Sequence, residues 1–580
     1  MNATLQYVLY TVLLVALSWP MGLYIFRVMT GSHVFLTPLL APIERGIYRI
    51  MHISPDEDMN WKKYALCCVL FNMIGFLILW GIMTLQGVLP LNPEDLSGTS
   101  WHLGFNTAAS FMTNTNWQSY SGESTLSYFS QMFGLTVQNF VSPAVGLAVL
   151  FALIRGLVRT KSHGIGSFWQ DMVRCVIYIL IPLSLVMALI QTSQGVIQNF
   201  SGHAEYQLLE PIETQSNIAE GTEETVTVTH GYIPMGPASS QIAIKQLGTN
   251  GGGYNGLNST HPLENPTPFS NMLEMISLLL LPVACCFAFG YAVKDKRQGM
   301  AIFMAMLILL MIALGCCAFA EHAGTPQLAQ DGAVSSSANM EGKETRFGIP
   351  TSVTWATWTT AASNGAVNSM HDSYTPLGGL IPMLLMQLGE VVFGGVGCGL
   401  YGMIGFVMLT VFIAGLMVGH TPEYLGKKIE PREMKMAVLV CLATPVACLI
   451  GAGIACLLPS TVNSLNNSGA HGFSEVLYAF SSAAGNNGSA FAGLNANTPF
   501  MNVSIGLVMI FARFVPMLAT LCIAGSMAQK KHIAASAGTL TTTGGMFIFL
   551  LIFVVLLIGA LSFFPALALG PIAEHFLMIG

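Results

Sequence analysis

Charge is what this sequence has least of. Asp, Glu, Lys and Arg together make up 9% of its 580 residues, against roughly a quarter in ordinary soluble domains. A chain so poor in charge and 53% hydrophobic is a polytopic membrane protein. The net charge of −6 is thin over this length, and no basic patch interleaved with aromatics occurs, which argues against a nucleic-acid partner. Nucleotide chemistry is missing too: there is no GxxxxGK[ST] loop and no DKTG phosphorylation motif. The twelve cysteines, among them Cys67, Cys68, Cys285, Cys286, Cys316 and Cys317, lie in apolar runs without CxxC or Cys/His spacing. They read as small packing residues, not zinc ligands. The first apolar run starts at Leu5 with neither a preceding Lys or Arg nor a small-residue cleavage pattern, so it reads as a retained span.

What is present is a series of runs long enough to cross a bilayer, about 20 residues at 1.5 Å each. They fall near 5–26, 64–86, 133–154, 175–192, 272–293, 300–320, 380–418, 436–458, 503–525 and 545–570, ten in all. The run at 380–418 is too long for one straight span and carries FGGVGCGLYG at 393–402. That suggests a helix broken inside the membrane, tolerated only where it lines a cavity. Gly394, Gly395, Gly397 and Gly399 would form the constriction; the alternative is an unbroken helix with close-packing small residues. Eighteen of the 22 Lys and Arg residues fall in alternate loops, at 27–63, 155–174, 294–297, 427–435 and 530–531. The positive-inside rule makes those loops cytoplasmic and turns both termini outward. The longest of them, 27–63, is far too short to house a nucleotide domain.

The opposite side carries four long loops, near 87–132, 193–271, 321–379 and 459–502. Each holds a short, moderately apolar segment followed by a small polar cluster: WHLGFNTAASFM then TNTNWQ, ASSQIAIKQ then LGTNGGG, TSVTWATWTTA then ASNGAV, and GFSEVLYAFSSA then AGNNGSA. A Gly-rich patch alone is usually a flexible linker. Four patches on one plan are not. Aligning Asn116, Gly251, Gly365 and Gly488 gives separations of 135, 114 and 123 residues, and Thr375-Pro376 and Thr498-Pro499 recur at the same offset in the last two units.

Helix, re-entrant half-helix, polar loop and second helix, repeated four times, predicts an all-α ring of four pseudo-repeats with the polar loops on its axis. Each half-helix would point the negative end of its dipole at that axis. Loop carbonyls could there replace the hydration shell of a large monovalent cation. The expected filter residues are Thr113, Asn114, Thr115, Asn116 and Gln118 in the first loop, and Thr249, Asn250, Gly251 and Gly252 in the second. The third and fourth supply Ser363, Asn364 and Gly365, then Asn486, Asn487 and Gly488. None of the clusters contains Asp or Glu, which excludes a calcium filter. Gln118 differs in size from its counterparts Gly253 and Val367 and should make the ring asymmetric. The domain reading is one transmembrane unit: an extra helix and loop at 1–63, repeats at 64–174, 175–297, 298–432 and 433–529, and an extra helix at 530–580.

Together with HTPEYLGKKIEPREMK at 420–435, the four clusters resemble the potassium-binding A subunits of Kdp-type potassium-transporting P-type ATPases across essentially the whole chain. The resemblance implies a multi-pass protein of the bacterial inner membrane. It implies K+ as transported ion, an ATP-hydrolysing P-type partner and small accessory membrane subunits, with the ion passing sideways between subunits above the broken third-repeat helix. No nucleotide is expected on this chain. His420 departs from the family, where Arg is common. The rival reading is a stand-alone K+ channel or ion-coupled symporter of the related four-repeat superfamily.

Four further features stand apart. Arg513 lies within the ninth span, where a lone charge is costly, and Glu390 lies at similar depth in the seventh, so the two are expected to pair. Lys245 is expected to point away from the axis. The stretch Glu205 to Glu224 reads as a solvated loop. His371 and Asp372 are either a hydrogen-bonded pair or a ligand.

Overall fold

In a bilayer every backbone amide must be satisfied within the protein, which leaves a chain this apolar little choice but helix. The computed structural model describes residues 3–219, 222–326, 338–419, 421–533 and 540–580. Among these, ten helices are long and apolar enough to cross a membrane: Ala3–Met29, Trp61–Val88, Ser130–Val158, Phe168–Ser193, Pro268–Ala292, Lys296–Ala323, Cys398–Met417, Pro431–Cys456, Pro499–Gln529 and Gly545–Ile579. The protein is therefore a multi-pass membrane protein. Ser130–Val158 and Pro268–Ala292 are the most enclosed, each 83% buried, whereas the first and last helices are only 22% and 33% buried and lie at the periphery.

Between these helices sit four short ones, Trp101–Met112, Ala238–Leu247, Gly348–Ala361 and Gly469–Ala484. At 10 to 16 residues they are too short to span, and they are almost entirely buried. The helix after each of the last three begins with a Thr N-cap and Pro at the first turn: Thr267 accepts from Ser270 N at 3.0 Å, Thr375 from Gly378 N at 3.2 Å and Thr498 from Met501 N at 3.3 Å. Threonine satisfies an otherwise orphan amide, and proline gives up one that had no partner. The Thr267-Pro268 pair escaped the sequence comparison because the second repeat carries a longer connection after its glycines.

The seventh crossing is broken as its length required. Pro376–Gln387 and Cys398–Val418 are helical, and between them Gly389, Glu390, Phe393, Gly394 and Gly397 all take positive φ. Gly399 falls just inside the second of these helices.

Among the described residues, two segments depart from the all-helical expectation, a two-residue pairing of Glu423–Tyr424 with Lys427–Lys428 and a longer hairpin. Ala204–Ala219 and Thr222–Ile233 pair as an antiparallel hairpin, where a loop was expected over Glu205 to Glu224. The reason is local: Thr225 to Thr229 alternates Thr and Val, β-branched residues that favour extended backbone.

On the face rich in Lys and Arg, Lys427 is buried with its ammonium among the last carbonyls of two helices. It donates to Gly156 O at 2.9 Å, to Met527 O at 2.8 Å and to Arg159 O. A cation there complements both helix ends. The helix Thr37–Ile50 is tied down by Glu44, which accepts from Tyr48 at 2.7 Å, Tyr178 at 2.8 Å and Arg174 at 3.0 Å. Burial alone would raise the Glu44 carboxyl; these hydrogen bonds outweigh it and hold the group below the usual range.

Candidate functional site

Each half-helix ends in a loop of the same unusual backbone. Two residues, two positions apart, are left-handed in every case: Asn114 and Asn116 (φ 63° and 55°), Thr249 and Gly251 (49° and 80°), Ser363 and Gly365 (50° and 85°), Asn486 and Gly488 (44° and 97°). The residue between them turns its amide back onto its own half-helix. Thr115 N reaches Ser110 O at 2.9 Å, Asn250 N reaches Lys245 O at 2.9 Å, Asn364 N reaches Thr359 O at 3.0 Å and Asn487 N reaches Ser482 O at 2.9 Å. Left-handed residues at alternate positions cancel the side-to-side alternation of an extended strand, so successive carbonyls can face the same way.

The carbonyl oxygens of these four residues, Thr115, Asn250, Asn364 and Asn487, accept no hydrogen bond among the described residues, although all four residues are fully buried. Buried carbonyls are ordinarily paired. Four equivalent exceptions in one ring form a site that would accept a cation.

The ring is closed by side chains that tie each loop to a neighbouring loop or to its half-helix. Asn114 Nδ2 donates to Thr249 O at 2.9 Å, Asn364 Nδ2 to Lys245 O at 3.2 Å, Asn487 Nδ2 to Thr359 O at 2.8 Å, and Asn486 Nδ2 to Thr115 Oγ1 at 3.0 Å. Neighbouring backbones come so close that a Cβ on Gly251, Gly365 or Gly488 would overlap the carbonyl oxygen of Asn364, Asn487 or Thr115 respectively. Glycine is needed at these three positions for closeness as well as for φ. The first loop breaks the pattern. Asn116 instead sends Nδ2 to Gly251 O at 3.2 Å and Asn139 Oδ1 at 2.7 Å. Gln118 clamps the second loop from both sides, donating to Gly253 O at 3.0 Å and accepting from Gly253 N at 2.8 Å.

Beneath the ring lies the break in the seventh crossing. Val396 N donates to Thr249 Oγ1 at 2.9 Å and Gly394 N to Ala361 O at 2.9 Å, so the break sits directly against the second loop and the end of the third half-helix. A Cβ on Gly397 would overlap Gly146 O of the helix Ser130–Val158. Glu390 belongs to this same segment, and its Oε2 lies 3.7 Å from Arg513 Nη1. Arg513 also donates Nε to Thr113 O at 2.6 Å. The pair thus braces the first repeat besides the third and fourth, a contact that depth counting did not suggest.

Lys245 is buried and paired with Glu264 at 2.5 Å, and donates to Gly252 O at 3.1 Å. Its charge is neutralised behind the second loop, and Glu264 is the partner that sequence reasoning missed. Asn139 and Ser142 were missed as well: Ser142 Oγ donates to Asn114 Oδ1 at 2.7 Å. Their signal was polarity inside an apolar span. His371 and Asp372 do not bond to each other; His371 Nδ1 meets Tyr478 Oη at 2.8 Å, while Asp372 Oδ1 meets His471 Nε2 at 2.9 Å. His420 lies outside the described residues.

Comparison with known proteins adds to the geometry. Residues 8–576 match the family described as potassium-transporting ATPase A subunit. The potassium-transporting ATPase potassium-binding subunit of Clostridium botulinum (strain Alaska E43 / Type E3) is 67% identical over the full length of both chains. That of Clostridium perfringens is 63% identical over the same extent, and that of Desulfovibrio desulfuricans 60% identical over 100% of this chain and 99% of its own. Among solved structures, the potassium transporter TrkH from Vibrio parahaemolyticus superposes with a TM-score of 0.47 at 13% identity, covering 77% of this chain and 83% of that one.

Proposed function

The chain belongs to the potassium-transporting ATPase A-subunit family, and from that premise we propose that it is the K+-binding, non-hydrolytic subunit of a K+-transporting P-type ATPase complex in the bacterial inner membrane. The ring of four loops is its selectivity filter. K+ enters from the loop-bearing face, which is the outer face, sheds water and is held by backbone carbonyls while four half-helix dipoles add negative potential. The two chain termini then lie outside.

Below the ring, the segment Gly389–Gly397 blocks the direct path and the Arg513 guanidinium adds a positive charge under it, so the ion leaves sideways toward the ATP-hydrolysing partner. Small accessory membrane subunits complete the complex. The observation that carries this reading is the set of four equivalent buried carbonyls, on Thr115, Asn250, Asn364 and Asn487, without a hydrogen-bond donor among the described residues.

The test is purification of the tagged chain from its native membrane. An ATPase should co-purify, and K+ should stimulate its hydrolysis of ATP. A chain that purifies alone and moves K+ into liposomes without ATP would instead establish the channel or symporter reading.

A further inference from the structure

On the loop-bearing face, three segments distant in sequence bring together one imidazole and three carboxylates. His471 and Glu475 stand one turn apart on the fourth half-helix, Asp372 follows the third loop, and Glu574 comes from the last helix, Ala573–Ile579. His471 Nε2 lies 2.9 Å from Asp372 Oδ1, and its Nδ1 lies 2.8 Å from Glu574 Oε1. One ligand atom each from Asp372, His471 and Glu475 lies within 4.8 Å of the others.

Glu475 is the telling member. It is 1% exposed, its Oε1 accepts from Asn467 Nδ2 at 2.7 Å, and its Oε2 has no hydrogen-bond partner. A buried carboxylate oxygen left unpaired is costly. Its position is also built: a Cβ on Gly493 would collide with Glu475, so glycine there leaves room for the carboxylate. The Phe491 ring covers the imidazole face at 6.0 Å.

We propose that Asp372, His471 and Glu475 bind a divalent first-row metal ion of the zinc class. Ligand atoms 2.0–2.2 Å from such an ion are about 3–4 Å apart, so the trio needs only a small contraction. His471 Nε2 would ligate, exchanging its contact with Asp372 for a shared ion. Its Nδ1–H would keep the Glu574 carboxylate behind it, the arrangement that commonly orients a ligating histidine. An imidazole among the ligands disfavours Ca2+ and Mg2+, which take oxygen. The His471 and Asp372 side chains, 21% and 11% exposed, leave an entry from solvent. The ion would fasten the third loop's flank to the fourth half-helix and, through Glu574, to the last helix.

The experiment uses the purified complex stripped with chelator. Zn2+ should bind at one equivalent per chain and raise the melting temperature. His471→Gln and Glu475→Gln should each weaken binding at least tenfold and abolish that rise. Unchanged affinity in both variants, or no binding in the wild type, overturns the proposal and leaves His471 as a hydrogen-bonded clasp between Asp372 and Glu574. Should the variants not assemble, Co2+ added to the wild-type complex decides: d–d bands without thiolate charge transfer, displaced by Zn2+, support the site. Thiolate bands would put the metal on a cysteine, and no spectrum would mean no site; either result overturns it.

Discussion

Alanine at the loop glycines should damage K+ binding in an order set by how deeply the new Cβ penetrates the neighbouring loop. At Gly251 it would overlap Asn364 O most severely, at Gly488 Thr115 O somewhat less and at Gly365 Asn487 O less again, whereas at Gly252 it would stand 3.2 Å from Asn116 O. All four have positive φ, so conformational strain of about 1–2 kcal/mol is common to them. The overlap adds overpacking strain of about 1–3 kcal/mol, and the atoms that must yield are the ring carbonyls themselves. With the ring as the proposed filter, strain relieved by displacing those carbonyls should appear as lost ion affinity, roughly 5- to 150-fold at 1.4 kcal/mol per factor of ten. Gly469 separates the two effects. It starts the fourth half-helix at φ 68° with nothing within 4 Å of its Cβ, so Gly469→Ala carries the strain without the collision and should leave K+ affinity unchanged. The assay is K+-stimulated ATP hydrolysis of the purified complex across K+ concentrations, with growth of a K+-uptake-deficient host at low and high K+ as the cellular counterpart. If Gly252→Ala or Gly469→Ala harmed K+ affinity as much as Gly251→Ala, carbonyl displacement would be the wrong explanation.

Four other outcomes are expected. Arg513→Met or Glu390→Leu alone should cost on the order of 3–5 kcal/mol of complex stability by leaving a buried charge unpaired, and the double variant less than their sum; strictly additive melting data would mean that the 3.7 Å contact contributes nothing. Deleting Gly394 to Gly397 should let K+ leak through proteoliposomes without ATP, and a tight membrane after the deletion would place the block elsewhere. Lys427→Met strands the Gly156, Arg159 and Met527 carbonyls at about 1–3 kcal/mol for each group left unsatisfied, so the melting temperature should drop; an unchanged value would show that water replaces the ammonium. Glu44 has a folded-state pKa below that of the unfolded chain, so its stabilisation is present at neutral pH and lost as pH falls below about 4.5 through the folded value. The wild-type advantage over Glu44→Gln in thermal melting should accordingly shrink on acidification, and an advantage constant with pH would refute the assignment.

How much of this was readable beforehand follows from which forces act along the chain and which act across it. The ten crossings were legible because hydropathy is a local property, and the fourfold plan because each repeat writes its own half-helix and polar cluster. Depth counting along two spans put Arg513 and Glu390 at one height, and their side chains meet there. The left-handed backbone at Asn114, Thr249, Ser363 and Asn486 was not legible, since nothing about Asn, Thr or Ser demands positive φ; the neighbouring loops impose it. Glu264 could not be matched to Lys245, nor Asp372 to His471, because those pairings depend on how loops fold over one another. The hairpin at 204–233 is masked in the sequence by the acidic residues around it, whose polarity suits a solvated loop and outweighs the short Thr-Val alternation.

The seam between the fourth loop and the first joins Asn486 to Thr115, positions 371 residues apart. A chain enters the bilayer from its N-terminus as it is made, so three walls of the ring stand in the membrane before the fourth is synthesised. Until then the carbonyl of Thr115 faces no Gly488, and no closed hole exists for an ion to cross. A chain cut short before the fourth repeat would therefore hold a ring open on one side, between the first loop and the third.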